Sequence, residues 1–147
     1  MKKKTVVDII AYLFIILFIY ASVNKLLDYD NFSTELGKSP LLTAFAGYVA
    51  WAVPAVELVV VILLTVPKWM LAGFYAAFSL MTMFTAYIVA ILNFSDYIPC
   101  SCGGVLQNMT WNQHLVFNIF FVILGFAGIM LYENEDTKKA AVEPLAA

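Results

Sequence analysis

The chain's two thiols, Cys100 and Cys102, stand one residue apart in the stretch PCSCGGV, residues 99–105. Pro99 fixes its own φ and pushes Ile98 toward an extended conformation, so the chain enters Cys100 without helix. Gly103 and Gly104 are free to take φ > 0 and to turn backbone N–H groups toward a sulfur. A disulfide between residues i and i+2 closes a very small ring, feasible only where a turn brings the two Cα atoms within about 4.4–6.8 Å. Such a bond is expected to be strained, and strain raises the reduction potential by about 30 mV for every 1.4 kcal/mol, which favours an electron acceptor over a structural staple. Three other readings stay open: a structural disulfide, a metal site and a pair of free thiols. The first is weakened because so small a ring removes little unfolded-chain entropy. The second is weakened because the two cysteines and His114 supply three ligands where structural zinc takes four, and the usual C-x₂₋₄-C spacing is missing.

Two more polar groups sit where chemistry is possible. Thr110-Trp111-Asn112-Gln113 fits a capping box, with Thr110 at the N-cap and Gln113 reaching back to its amide, so a helix is predicted to start near Trp111. His114 and Asn118 then share one face of its first turns, near the cysteine loop. His114 reads either as an interfacial anchor, together with Trp111, or as a proton carrier or cation that favours a thiolate beside the positive end of the helix dipole. Glu57 lies in WAVPAVEL, deep in an apolar run. A charge of that kind in a bilayer costs roughly 2.5–3.5 kcal/mol, so Glu57 is expected to face the bundle and to be paired or protonated. Its reading is either structural, a hydrogen bond to Ser79, Thr82 or Thr85, or proton handling. Pro54 frees the carbonyl of Ala50 and is expected to kink that helix. Asp8 is near enough to a helix start to reach the interface and is given no role.

The elements that must position these groups follow from composition. The 147 residues are 63% hydrophobic and 12% charged, with a mean hydropathy of +0.89, well outside the usual soluble range. All eight basic residues are Lys, scattered or terminal, which excludes a nucleic-acid surface and bidentate phosphate recognition. Four runs reach the roughly 20 residues that cross a bilayer, at about 6–23, 41–66, 69–94 and 111–132. The predicted fold class is therefore all-α, a polytopic membrane protein with a four-transmembrane-helix bundle over residues 1–132 and a short solvated cytoplasmic tail at 133–147. Asn24–Pro40 and Ser95–Thr110 are predicted as loops. Pro67-Lys68 is so short a link that the second and third helices must be antiparallel neighbours. The first run is read as a retained helix, being longer than the apolar core of a signal peptide and lacking an A-x-A site.

Lysine placement sets the orientation. With both termini inside (N-in/C-in), Lys2, Lys3, Lys4, Lys68, Lys138 and Lys139 are cytoplasmic and only Lys25 and Lys38 lie outside. The cysteine loop, without lysine, then faces the outside, which in a bacterium is the periplasm, where disulfides persist. The Asn108-Met109-Thr110 sequon is discounted in such a chain. Counted from helix ends near residues 23 and 41, Lys25 lies about 16 residues, or roughly 24 Å, from Glu57 along the second helix and is expected to be too far for a direct pair.

The runs ASVNKLLDYDNF, VPAVEL and PCSCGGVLQNMTWNQHLVFN resemble the MauE/DoxX family of redox-associated bacterial membrane proteins, over nearly the whole chain apart from the tail. The third run is the most specific. The resemblance implies a four-helix bundle, placement in the bacterial inner membrane and an association with disulfide formation, as in the methylamine-utilisation members that work with thioredoxin-like partners. The related DoxX and DoxD members are linked to oxidation of small sulfur compounds and to quinones. Carried over residue by residue, the family motif marks Cys100, Cys102, Glu57, Lys25, Trp111 and His114.

One histidine excludes bis-histidine haem, and no G-x-G-x-x-G is present for flavin or nicotinamide. The expected reading is thiol-disulfide exchange with a periplasmic thioredoxin-like or other membrane-complex protein. No covalently bound cofactor and no metal are expected, and the electrons leave through a separate partner or a membrane quinone. The alternatives are a non-enzymatic subunit that docks or assembles a partner complex, and a small-solute or proton carrier that uses Glu57. A cytoplasmic reporter fused after Gln107 is expected to stay dark, and a signal there would reverse the orientation.

Overall fold

Each of the four apolar runs folds as a helix, because a backbone surrounded by lipid has to satisfy its own N–H and C=O groups. The computed structural model describes residues 2–96 and 109–146, the side chains at 139–140 and 143–146 excepted. The chain order is α1 (Lys2–Leu27), α2 (Tyr29–Lys38), α3 (Ala46–Thr65), α4 (Met70–Phe94) and α5 (Trp111–Ala146), with 3₁₀ turns at Thr43–Phe45 and Pro67–Trp69. No strand occurs among the described residues. Lys2–Leu27, Thr43–Thr65, Pro67–Phe94 and Trp111–Lys138 are long and apolar enough to cross a membrane. The protein is an all-α polytopic membrane protein.

Two predicted loops or tails turn out to be helical. Asn24–Pro40 holds the last turn of α1 and then α2, whose Phe32 and Leu36 pack with Ala50 into a small satellite core. Four residues apart on a helix, these two side chains make a one-sided apolar stripe too short to span a bilayer but long enough to cover a helix. The segment after Glu133 likewise continues as helix, with Thr137 Oγ1 donating to the Glu133 carbonyl at 2.9 Å. The α-helix of the second span starts at Ala46 rather than near residue 41, since Ser39–Phe45 is taken up by turns.

The bundle core is a stripe on each helix. On α1 the buried residues are Val7, Ile10, Ala11, Phe14, Phe18, Ser22 and Lys25, a rhythm of three and four that marks one helix face. Phe14 stacks on Phe18 with centroids 5.8 Å apart and meets the edge of Phe121 at 5.3 Å. The opposite faces carry apolar residues that lipid covers, among them Ile16, Val59, Met83 and Phe126, all more than half exposed within the chain itself.

Lipid supplies no hydrophobic drive between helices, so close approach through small residues does the packing. A Cβ on Gly73 would sit 2.9 Å from both the backbone N and a side-chain methyl of Leu64, which fixes the α3–α4 crossing just beyond the Pro67 turn. One on Gly128 would sit 2.6 Å from the Phe74 ring, between α4 and α5. Gly73→Ala and Gly128→Ala are expected to destabilise the bundle by about 1–3 kcal/mol each through overpacking. Gly47→Ala, with nothing within 4 Å of the added carbon, is expected to be neutral or slightly stabilising. Denaturant unfolding in micelles checks the difference.

Candidate functional site

The stripe on α1 ends in a lysine and the stripe on α3 contains a glutamate. Buried positions on α3 are Ala50, Pro54, Glu57, Val60 and Leu64, and this face meets α1. Lys25 Nζ donates to Glu57 Oε1 at 2.6 Å, with the two side chains 8% and 0% exposed. Glu57 is thus inside the bundle, as its cost in lipid requires, but its partner is the lysine expected to be out of reach. The hydroxyls offered instead turn to their own helix: Ser79 donates to the Tyr75 carbonyl at 2.8 Å, Thr82 to Phe78 at 2.8 Å and Thr85 to Met81 at 2.7 Å.

Lys25 and Glu57 come within reach of each other because α1 and α3 do not end level. The Tyr29 ring lies 5.1 Å from that of Trp51, and a Cβ on Gly37 would be 3.9 Å from Ala46, so α2 runs antiparallel to α3 and carries the chain onward before α3 turns back. Counted from the Tyr29–Trp51 level, Lys25 is about 6 Å down α1 and Glu57 about 9 Å down α3. Helix side chains lean toward their own N-terminus. In antiparallel helices Lys25 and Glu57 therefore lean toward each other and close the remaining gap.

Around the pair lies a pocket of ≈ 90 Å³ lined by side chains of α1, α3, α4 and α5, including Lys25, Glu57, Tyr87, Trp111, His114 and Asn118. Aromatic faces hold the ammonium: Nζ lies 5.9 Å from the Phe32 centroid and 5.7 Å from that of Phe84, within cation–π range. The capping box forms as predicted, with Thr110 N donating to Gln113 Oε1 at 3.0 Å and Gln113 N to Thr110 Oγ1 at 3.4 Å. It starts α5 at Trp111, and the Trp111 and His114 rings then stack with centroids 6.0 Å apart. From α4, Tyr87 Oη donates to Ser39 Oγ at 3.0 Å, tying the end of α2 down over the pocket. Cys100 and Cys102, with Pro99 and the two glycines, lie outside the described residues.

The structure therefore brings Glu57, Lys25, Trp111 and His114, the four described residues that the family resemblance marks, into one pocket and adds Asn118 to them. A signal for Lys25 was present in the sequence: it continues the three-and-four rhythm of Phe14, Phe18 and Ser22, which places it on the buried stripe. The Tyr87–Ser39 link carries no such signal, since both residues are polar and 48 positions apart. Among the described residues no group of three His, Cys, Asp or Glu is placed to hold a metal ion.

The profile of the family described as "Methylamine utilisation protein MauE" matches residues 3–132. The chain belongs to the MauE family. The match runs from the start of α1 through the apolar part of α5, so the Lys25–Glu57 pocket lies wholly within the MauE region, and the helical extension after Tyr132 lies beyond it. No curated protein and no solved structure matches the chain.

Removing one partner of a buried ion pair leaves an uncompensated charge and costs about 3–5 kcal/mol, whereas replacing both by apolar groups is often neutral. Lys25→Met and Glu57→Leu are each expected to lose stability on that scale, and the double variant to regain most of it. A double-mutant cycle by unfolding in micelles reads the coupling; additive losses would mean that the pair is not formed.

Proposed function

We propose that this MauE-family protein is a redox-associated protein of the bacterial inner membrane that exchanges disulfides through Cys100 and Cys102 with a periplasmic thioredoxin-like partner. The observation that carries the reading is the family match over residues 3–132, which includes the one stretch that holds both thiols. Two further features support it. The thiols precede the N-terminus of α5 by nine and eleven residues, and a helix N-terminus favours a thiolate. His114, in the first turn of that helix, is the one imidazole of the chain.

In the cycle proposed, a partner thiolate attacks one sulfur of the Cys100–Cys102 disulfide and forms a mixed disulfide. The partner's second thiol displaces it, leaving the partner oxidised and the two cysteines reduced. Two electrons and two protons then pass from the dithiol to a membrane quinone, which becomes a quinol, and the disulfide re-forms.

Single replacements are expected to separate the cysteines. Serine at the leaving cysteine keeps the attacked one able to form the mixed disulfide with oxidised partner, with no neighbouring thiol to displace it, and so traps a covalent complex visible on non-reducing gels, whereas serine at the attacked cysteine gives none. If neither Cys100→Ser nor Cys102→Ser traps protein, and alkylation reads the same oxidation state under reducing and oxidising conditions, the redox reading fails and the chain acts as an assembly subunit of a partner complex.

A further inference from the structure

The pocket beneath α2 holds polar groups that the ion pair leaves unused. Among the described residues, three buried side-chain atoms have no hydrogen-bond partner: Glu57 Oε2, His114 Nδ1 and Asn118 Nδ2. All three residues line the same ≈ 90 Å³ cavity. Glu57 is fully buried and Asn118 is 3% exposed, so neither finds solvent elsewhere. Isolated orphan atoms of this kind are expensive in a membrane interior, and three on residues that line one space are what a bound polar species would satisfy.

Size and chemistry narrow that species. A water needs at least about 10–15 Å³ of cavity space, so the ≈ 90 Å³ here admits several. The atoms present an acceptor at Glu57, a donor at Asn118 and an imidazole nitrogen that serves as either. Water both donates and accepts and completes all three. The Lys25 ammonium donates to the other carboxylate oxygen, Oε1, and Oε2 is left without a hydrogen-bond partner.

We propose that this pocket is a hydrated proton-binding site, in which waters bridge Glu57 Oε2 to Asn118 Nδ2 and His114 Nδ1 and carry a proton between the α2 end of the bundle and Glu57. A proton enters from water at that end, passes along the chain of waters with His114 in it, and binds Oε2. The carboxylate becomes a carboxylic acid; no electron moves. The pocket gains one positive charge, that of Lys25, and the Phe32 and Phe84 ring faces at 5.9 and 5.7 Å remain to stabilise it. The groups that face Glu57 are Lys25 from α1, Tyr87 from α4 and His114 from α5, and Tyr87 is engaged with Ser39. This activity does not depend on the cysteines.

Infrared spectroscopy of the full chain in lipid nanodiscs, titrated in H₂O and in D₂O, tests it. Beside the bands of the other Asp and Glu carboxyls, the wild type is expected to show a separate high-frequency carboxylic-acid C=O stretch, that of a carboxyl out of water, which grows as the pH falls and is missing from Lys25→Met/Glu57→Gln, a variant that removes both charges and so keeps the bundle neutral. Deuterium exchange of that band is expected to be about tenfold slower in Asn118→Leu and in His114→Phe, each of which removes one hydrogen-bonded link. The Cys100→Ser/Cys102→Ser variant keeps the band whatever becomes of the redox reading. If the double charge variant loses no band, or exchange is equally fast in the Asn118 and His114 variants, or the band vanishes with the cysteines, the proposal is overturned.

Discussion

A lysine and a glutamate that share a hydrogen bond inside an otherwise apolar bundle constrain everything around them. Neither Lys25 nor Glu57 is tolerable alone at that depth, because an ion taken out of water must recover its solvation from a partner. The pair at 2.6 Å therefore fixes the rotation of α1 and α3 about their axes and their relative height. A slip of one residue on either helix would turn one charge toward lipid. In a membrane, where Leu against Leu gains nothing over Leu against an acyl chain, such a polar contact specifies register in a way apolar packing does not.

The apolar half of the bundle works by close approach. Gly73 lets the α4 backbone reach Leu64, and Gly128 accepts the Phe74 ring against α5. Large rings fill the space between helices on the α1 side, where Phe14, Phe18, Phe117 and Phe121 form a continuous aromatic contact. The division is spatial: the glycine contacts lie towards the Pro67 turn, and the buried ion pair with its small cavity lies towards α2.

That end is also capped. The short helix α2 lays Phe32 over the Lys25 ammonium, and Tyr87 reaches from α4 to hold the Ser39 hydroxyl at the helix's far end. Charge burial here is thus the joint product of five elements, with α2 laid over the pair and the α1, α3, α4 and α5 stripes enclosing the sides. The capping box at Thr110 and Gln113 sets where α5 begins and so which turn His114 and Asn118 occupy.

Much of this was legible in the residue order. The four apolar runs, the tight Pro67 link, the start of α5 and the inward face of Glu57 follow from local rules: run length against bilayer thickness, turn and cap chemistry, and the cost of a charge in lipid. The sequence by itself determined an all-α membrane bundle with a carboxylate inside it. It did not reveal α2, because a ten-residue amphipathic helix earns its stability from the α3 surface it covers rather than from propensity. It did not pair Lys25 with Glu57 either. Distance along a chain measures height only within one straight helix, and the heights of α1 and α3 are related through α2 and the turns after it. Only the tertiary structure decided which charge meets which, because that depends on where separate helices stand relative to one another.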